Sequence, residues 1–240
     1  STLYAGTWHG GAYKSTDGGD NWCPINTGLA ANDVYALLVD PGTSSTVYAG
    51  TEMGIFKSTD GGGTWQGAST GFSGRNIYAL VSAGGKLLAG TDMGVFRSTN
   101  NAAGWSPSNA GLHGGRVFDL AAAPGVVYAA TDRGLCRSED DGGSWTSAGG
   151  GLPAGAINAV VAGESDSAIA VVGTSEGVYA TASGGAWWTA INDGLSGWAL
   201  HVGSLVLDES TSPWTVYAGT GSGVWARALP ALPGRIALVY

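Results

Sequence analysis

A six-bladed β-propeller of four-stranded antiparallel blades is the fold this sequence predicts. Three observations predict it. A unit of about 40 residues returns along the whole chain, each copy holds four short apolar runs, and no stretch sustains a 3.6-residue period. The first half of the unit reads YAGT at 4–7 and 48–51, LAGT at 88–91, YAAT at 128–131, VVGT at 171–174 and YAGT at 217–220. These starts lie 44, 40, 40, 43 and 46 residues apart. The second half reads STDGGDNW (15–22), STDGGGTW (58–65), STNNAAGW (98–105), SEDDGGSW (138–145) and TASGGAWW (181–188). A third run precedes the unit as VYALLVD (34–40), IYALVSA (77–83), VFDLAAA (117–123) and INAVVAG (157–163).

In the second copy the four runs are Val34–Val39, Thr46–Gly50, Gly54–Lys57 and Thr64–Ala68. Val, Ile, Tyr, Phe and Trp fill them, and Gly, Asp, Ser and Pro separate them, which is the signature of strands and turns. Four antiparallel strands in this length make a blade, and a lone blade would leave both faces wet. Several must therefore pack around an axis.

Taking strands A to D outward from that axis, the chain enters at strand B of the first blade, residues 2–28. Complete blades are expected at 33–70, 76–110, 116–150 and 156–193, and a last one at 198–229, whose first strand starts at Trp198. The last blade lacks the Asp-containing turn and its Trp. The tail 234–239 (GRIALV) resembles 74–81 and 115–120, so it reads as a spare strand A. Residues 235–240 should complete the first blade and close one domain, 1–240.

Composition limits the partners. Net charge is −8 with only ten Lys and Arg, which disfavours nucleic acid. No apolar run approaches the ~18 residues of a membrane span, and no signal peptide is visible at Ser1. Cys23 and Cys136 fall in blades that a six-fold ring places opposite each other. Bridged Cα atoms lie within ~7 Å, so two buried free thiols are expected. His9, His113 and His201 occupy unrelated repeat positions with no metal-ligand spacing, and no cofactor is expected.

Ser-x-Asp-x-Gly-x-x-Trp is met in full at Ser15–Trp22, Ser58–Trp65 and Ser138–Trp145. An Asp in a hairpin accepts backbone N–H bonds, Gly supplies positive φ, and Trp fills the space between outer strands. Burying one Trp removes ~150–250 Å² from water, an upper bound of about 4–6 kcal/mol. The copies with Asn100 and Ser183 keep Trp105 and Trp188, which fits packing rather than catalysis.

This pattern resembles the Asp-box, or BNR, repeat over almost the whole chain. It is similar to propellers of sialidases, xyloglucan-degrading glycosidases, sortilin-type receptors and photosystem II assembly factors. The resemblance implies a propeller with the Asp-box on its outer edge, away from the site, and an extracellular or periplasmic setting. It implies fold far more than activity. A sialidase's converging arginines cannot be assigned: Arg97 and Arg137 sit beside outer turns, and Arg75, Arg116 and Arg235 share one position at the start of strand A.

Ligands are expected on the face made by the B–C and D–A loops. Four B–C loops carry an acid, namely Glu52, Asp92, Asp132 and Glu176, read as one repeat position, with Arg133 beside Asp132 and with Trp8 and His9 in the first blade. Trp stacks on sugar rings and carboxylates accept hydroxyl bonds. The reading is a monomeric, non-catalytic binding module or scaffold, for carbohydrate or a protein partner. The alternative is a glycoside hydrolase using two of these acids. Asp before Gly is also ordinary turn chemistry.

Overall fold

A computed structural model describes residues 1–71, 75–230 and 232. They form two compact units, residues 1–108 and 109–240. Each unit carries three antiparallel sheets, and each sheet is a blade.

In the first unit, blade 1 holds β1 (Leu3–Thr7), β2 (Gly11–Ser15) and β3 (Cys23–Pro24). Blade 2 holds β4 (Val34–Val39), β5 (Val47–Thr51), β6 (Gly54–Ser58) and β7 (Gln66–Gly67). Blade 3 holds β8 (Ile77–Ala83), β9 (Lys86–Thr91), β10 (Gly94–Ser98) and β11 (Ser106–Pro107). In the second unit, blade 4 holds β12 (Val117–Ala123), β13 (Val126–Thr131), β14 (Gly134–Ser138) and β15 (Thr146–Ser147). Blade 5 holds β16 (Ile157–Ala162), β17 (Ala170–Thr174), β18 (Gly177–Thr181) and β19 (Thr189–Ala190). Blade 6 holds β20 (Val202–Asp208), β21 (Thr215–Thr220) and β22 (Gly223–Ala228).

Strand alternation builds the core as layers between blades. Tyr48 and Ile55 of blade 2 meet Ile77, Leu80 and Phe96 of blade 3. Tyr128 and Leu135 of blade 4 meet Ile157, Val160 and Val172 of blade 5. Val171 and Val178 of blade 5 meet Val202 and Val216 of blade 6.

The Ser-x-Asp-x-Gly turn is a hydrogen-bonded cage. Ser58 Oγ donates to Asp60 Oδ1 (2.7 Å) and accepts from Gly62 N–H (2.8 Å); Asp60 accepts from Thr64 N–H (2.9 Å) and Thr64 Oγ1–H (2.8 Å). The same bonds recur around Asp17 and Asp140. They hold Asp60 and Asp140 down to about 2 and push Asp17 well below the usual carboxylate range. The largest single cause is the Ser58 hydroxyl at Asp60, the Ser144 amide at Asp140 and the Asn21 amide at Asp17.

The Trp that follows latches one blade to the one before. Trp65 donates its backbone N–H to Thr27 O and its indole Nε1–H to Ile25 O (2.6 Å). Trp105 does the same to Thr70 O and Ala68 O (2.9 Å), and Trp188 to Gly150 O and Ala148 O (2.7 Å). The glycine in the receiving loop is required. Gly71 sits at φ 104°, and a Cβ there would strike the Trp105 carbonyl. A basic residue on the third strand adds a second tie, with Lys14 Nζ donating to Gly61 O (2.9 Å) and Lys57 Nζ to Asn101 O (3.1 Å).

Several details differ from the sequence reading. The outermost strands hold only two residues; in blades 2, 3 and 5 the Trp backbone N–H goes to the preceding blade and not to the third strand. Blade 6 starts at Val202, after a 3₁₀ turn at Gly197–Leu200. Both thiols are free, but Cys23 is exposed, lying on the two-residue outer strand β3. Trp22 is 41% exposed and donates its indole N–H to Gly19 O of its own turn. The closing strand expected at 234–239 lies outside the described residues.

Candidate functional site

Every first strand of blades 2 to 6 opens with a register shift: Val34/Ala36, Ile77/Ala79, Val117/Asp119, Ile157/Ala159 and Val202/Ser204. Such a bulge leaves one residue out of the ladder and re-aims its side chain. The bulged residues are Tyr35, Tyr78, Phe118, Asn158 and Gly203.

In the first unit this makes an aromatic row. The rings of Tyr35 and Tyr78 lie 5.6 Å apart at 37°, and Trp8 meets Tyr35 edge-on at 6.4 Å. Trp8 is 74% exposed, and both tyrosines are half-buried. Polar groups flank the row. Asn76 Nδ2 donates to Tyr78 Oη (3.0 Å), and Asp33 accepts His9 N–H (2.7 Å) with His9 Nδ1 at 3.0 Å. Burial, then the Asp33 and Glu52 carboxylates, push the Tyr35 phenol upward, so it stays a hydrogen-bond donor at neutral pH. Met53 and Met93 stand exposed on the neighbouring B–C turns.

The acids of those turns have other partners. Glu52 accepts Asn32 N–H (2.9 Å) and Asp33 N–H (3.1 Å), one on each oxygen. Asp132 accepts Gly115 N–H (3.0 Å). Both pin a D–A loop to a B–C turn. Asp92 faces Arg75 Nη1 at 3.8 Å, and Arg75 also reaches Met93 Sδ and lies over the Phe96 ring. Glu176 is exposed, and it does not share the others' repeat position. Its N–H bonds Thr174 Oγ1 as the N–H groups of Met53, Met93 and Arg133 bond Thr51, Thr91 and Thr131, so Ser175 is the residue equivalent to Glu52. Arg133 is exposed beside Asp132. Trp8, His9, Glu52 and Asp92 thus lie on the loop side of the first unit, and Asp132, Arg133 and Glu176 on that of the second.

Sequence reasoning missed Tyr35 and Tyr78. The available signal was an aromatic column in the repeat, Tyr35, Tyr78 and Phe118, set between residues that alternation buries.

No family model matches the chain, and no curated protein matches it. Solved structures do. A GH74 enzyme of Niastella koreensis superposes with a TM-score of 0.71 at 20% identity, covering 90% of this chain and 40% of its own. The fold is the β-propeller. A GH74 xyloglucanase from Xanthomonas campestris gives a TM-score of 0.62 at 15% identity, covering 95% of this propeller and 50% of that chain. YCF48 bound to D1 peptide gives 0.63 at 14%, covering 90% and 71%. The propeller spans half or less of the two GH74 chains.

Proposed function

We propose that this chain is a non-catalytic binding module, and that the aromatic row of the first unit takes carbohydrate. The row Trp8–Tyr35–Tyr78 carries the reading. Sugar rings present apolar C–H faces that stack on aromatic rings, and their hydroxyls seek polar groups at the ring edges. Asp33, His9 and Asn76 lie at those edges. Among the similar structures, the GH74 xyloglucanase is named for a polysaccharide, which favours the same ligand class.

A hydrolase using the loop acids is the second reading, and likeness to GH74 enzymes is the observation in its favour. Against it, Glu52 spends both oxygens holding a loop, and Asp132 accepts a loop amide. A general acid or nucleophile needs an oxygen free to meet the glycosidic bond.

A glycan array tests the proposal, followed by titration of the best ligand. Tyr78→Ala and Trp8→Ala are expected to weaken binding about tenfold each, with no reducing sugar released. Release of reducing sugar that Glu52→Gln or Asp92→Asn abolishes would establish the hydrolase instead. Silence on the array and in hydrolysis would leave a protein as the partner of this face.

A further inference from the structure

Blade 4 departs from its siblings at three positions, and the three departures meet. On the third strand, Phe56, Phe96 and Tyr179 are replaced by Cys136. On the B–C turn, Met53 and Met93 are replaced by Arg133. In the D–A loop, His113 stands where blade 2 has Ala30 and blade 5 has Pro153. His113 is exposed and lies against the sulfur that stands in place of the ring. Its N–H points at Cys136 Sγ (3.3 Å), and the ring Nδ1 lies 3.9 Å from the same sulfur.

One hydroxyl holds the two basic residues together. Thr131 Oγ1 lies 2.8 Å from both His113 O and Gly134 O, and accepts Arg133 N–H at 3.1 Å. His113 and Arg133 thereby share the wall of a cavity of about 490 Å³. Its remaining accessible wall includes Leu152, Pro153 and Ala154, with the core residues Leu135 and Ile157 beneath and Ser147 at its side. The volume is that of a small-molecule site. Arg133 is exposed and makes no ion pair among the described residues, while its neighbour Asp132 is engaged with Gly115 N–H. Cys136 is buried, and burial pushes its thiol upward, so it serves packing and not nucleophilic chemistry.

We propose that this pocket is a binding site for a small organic carboxylate with an apolar body. A planar guanidinium matches a carboxylate with two parallel N–H bonds, and Leu152, Pro153 and Ala154 would cover the apolar remainder of the ligand. The site lies wholly within the second unit and does not depend on the aromatic row of the first.

Amide-shift titration of the full chain tests it, with phenylacetate and 4-phenylbutyrate as probes. Phenylacetamide serves as the neutral control and inorganic phosphate as the bare anion. Both carboxylates are expected to shift the amides of His113, Arg133 and Leu135 with Kd values in the range of about 0.1–10 mM, as small fragments do. Phenylacetamide and phosphate should bind at least about tenfold more weakly, and Arg133→Met should cost the carboxylates about tenfold. Blades 2 and 3 carry methionine at this exposed turn, as Met53 and Met93, so the variant keeps the fold. The proposal is overturned if neither carboxylate shifts these amides, if the amide or phosphate binds as well, or if Arg133→Met leaves affinity unchanged.

Discussion

The indole N–H of Trp65, Trp105 and Trp188 crosses from one blade to its neighbour and ends on a backbone carbonyl there. Trp65 Nε1 reaches Ile25 O at 2.6 Å, and the ring is 3% exposed. Replacing Trp65 by Phe keeps much of the apolar contact but removes the donor to that carbonyl. Loss of this part-buried bond, with the contact that the smaller ring gives up, costs about 1–2 kcal/mol. Trp22 is the internal control. It is partly exposed, and its indole bonds only its own turn. Urea denaturation should show Trp65→Phe destabilised by about 1–2 kcal/mol and Trp22→Phe by less than about 0.5 kcal/mol. Equal losses would mean that the ring, and not its N–H, makes the latch.

At the scale of the element, the B–C turn is closed by the Thr of each YAGT-like strand. Thr51 Oγ1 donates to Gly54 O (2.8 Å) and accepts Met53 N–H (3.0 Å), and Thr91, Thr131, Thr174 and Thr220 repeat the bond to the glycine carbonyl. Thr51 is fully buried, so Thr51→Val keeps its shape while removing both partners. A loss of about 1–3 kcal/mol is expected in thermal or urea unfolding. A loss below that range would mean the glycine alone sets the turn. The repeat made much legible at this scale, namely the blades, their inner strands and the Ser-x-Asp-x-Gly cage, because each has a period or a fixed spacing. The bulge did not show, since alternation counts residues and cannot tell which one leaves the ladder. Glu52 was legible as a loop acid, but its occupation by Asn32 and Asp33 amides was not. A carboxylate bonded to a distant loop and one facing water look the same in a chain of letters. Glu176 was misaligned although the letters Thr174 and Gly177 already fix the register of its loop, and the Thr174 hydrogen bond agrees with them.

Across the whole molecule, acids of two kinds act in opposite directions on stability. Asp119, on the inner strand β12, is held by the amides of Val160 and Leu120 (2.9 and 2.8 Å), yet burial pushes it up to about 6. Its folded state therefore binds a proton more readily than its unfolded state. That contribution is fully present below about pH 4 and is lost as the pH rises through about 6. A displacement from 3.8 to about 6 corresponds to at most about 3 kcal/mol. The acids of the Ser-x-Asp turns run the other way. Asp60 and Asp140 sit at about 2 and Asp17 lies low as well, so their support is present above about pH 4 and is lost as the pH falls toward about 2. Of these groups, Asp119 favours the folded state more at about pH 4–5 than at neutrality. Thermal melting should show Tm falling as the pH rises from about 5 to 7. Asp119→Ala installs the residue that blades 2, 3 and 5 carry as Ala36, Ala79 and Ala159. It should flatten the curve between about pH 4.5 and 7 while leaving the acid limb, where the cages around Asp17, Asp60 and Asp140 open. A wild-type Tm that is highest at pH 7, or an Asp119→Ala curve that keeps its slope between pH 4.5 and 7, would show that the buried carboxyl does not govern this dependence.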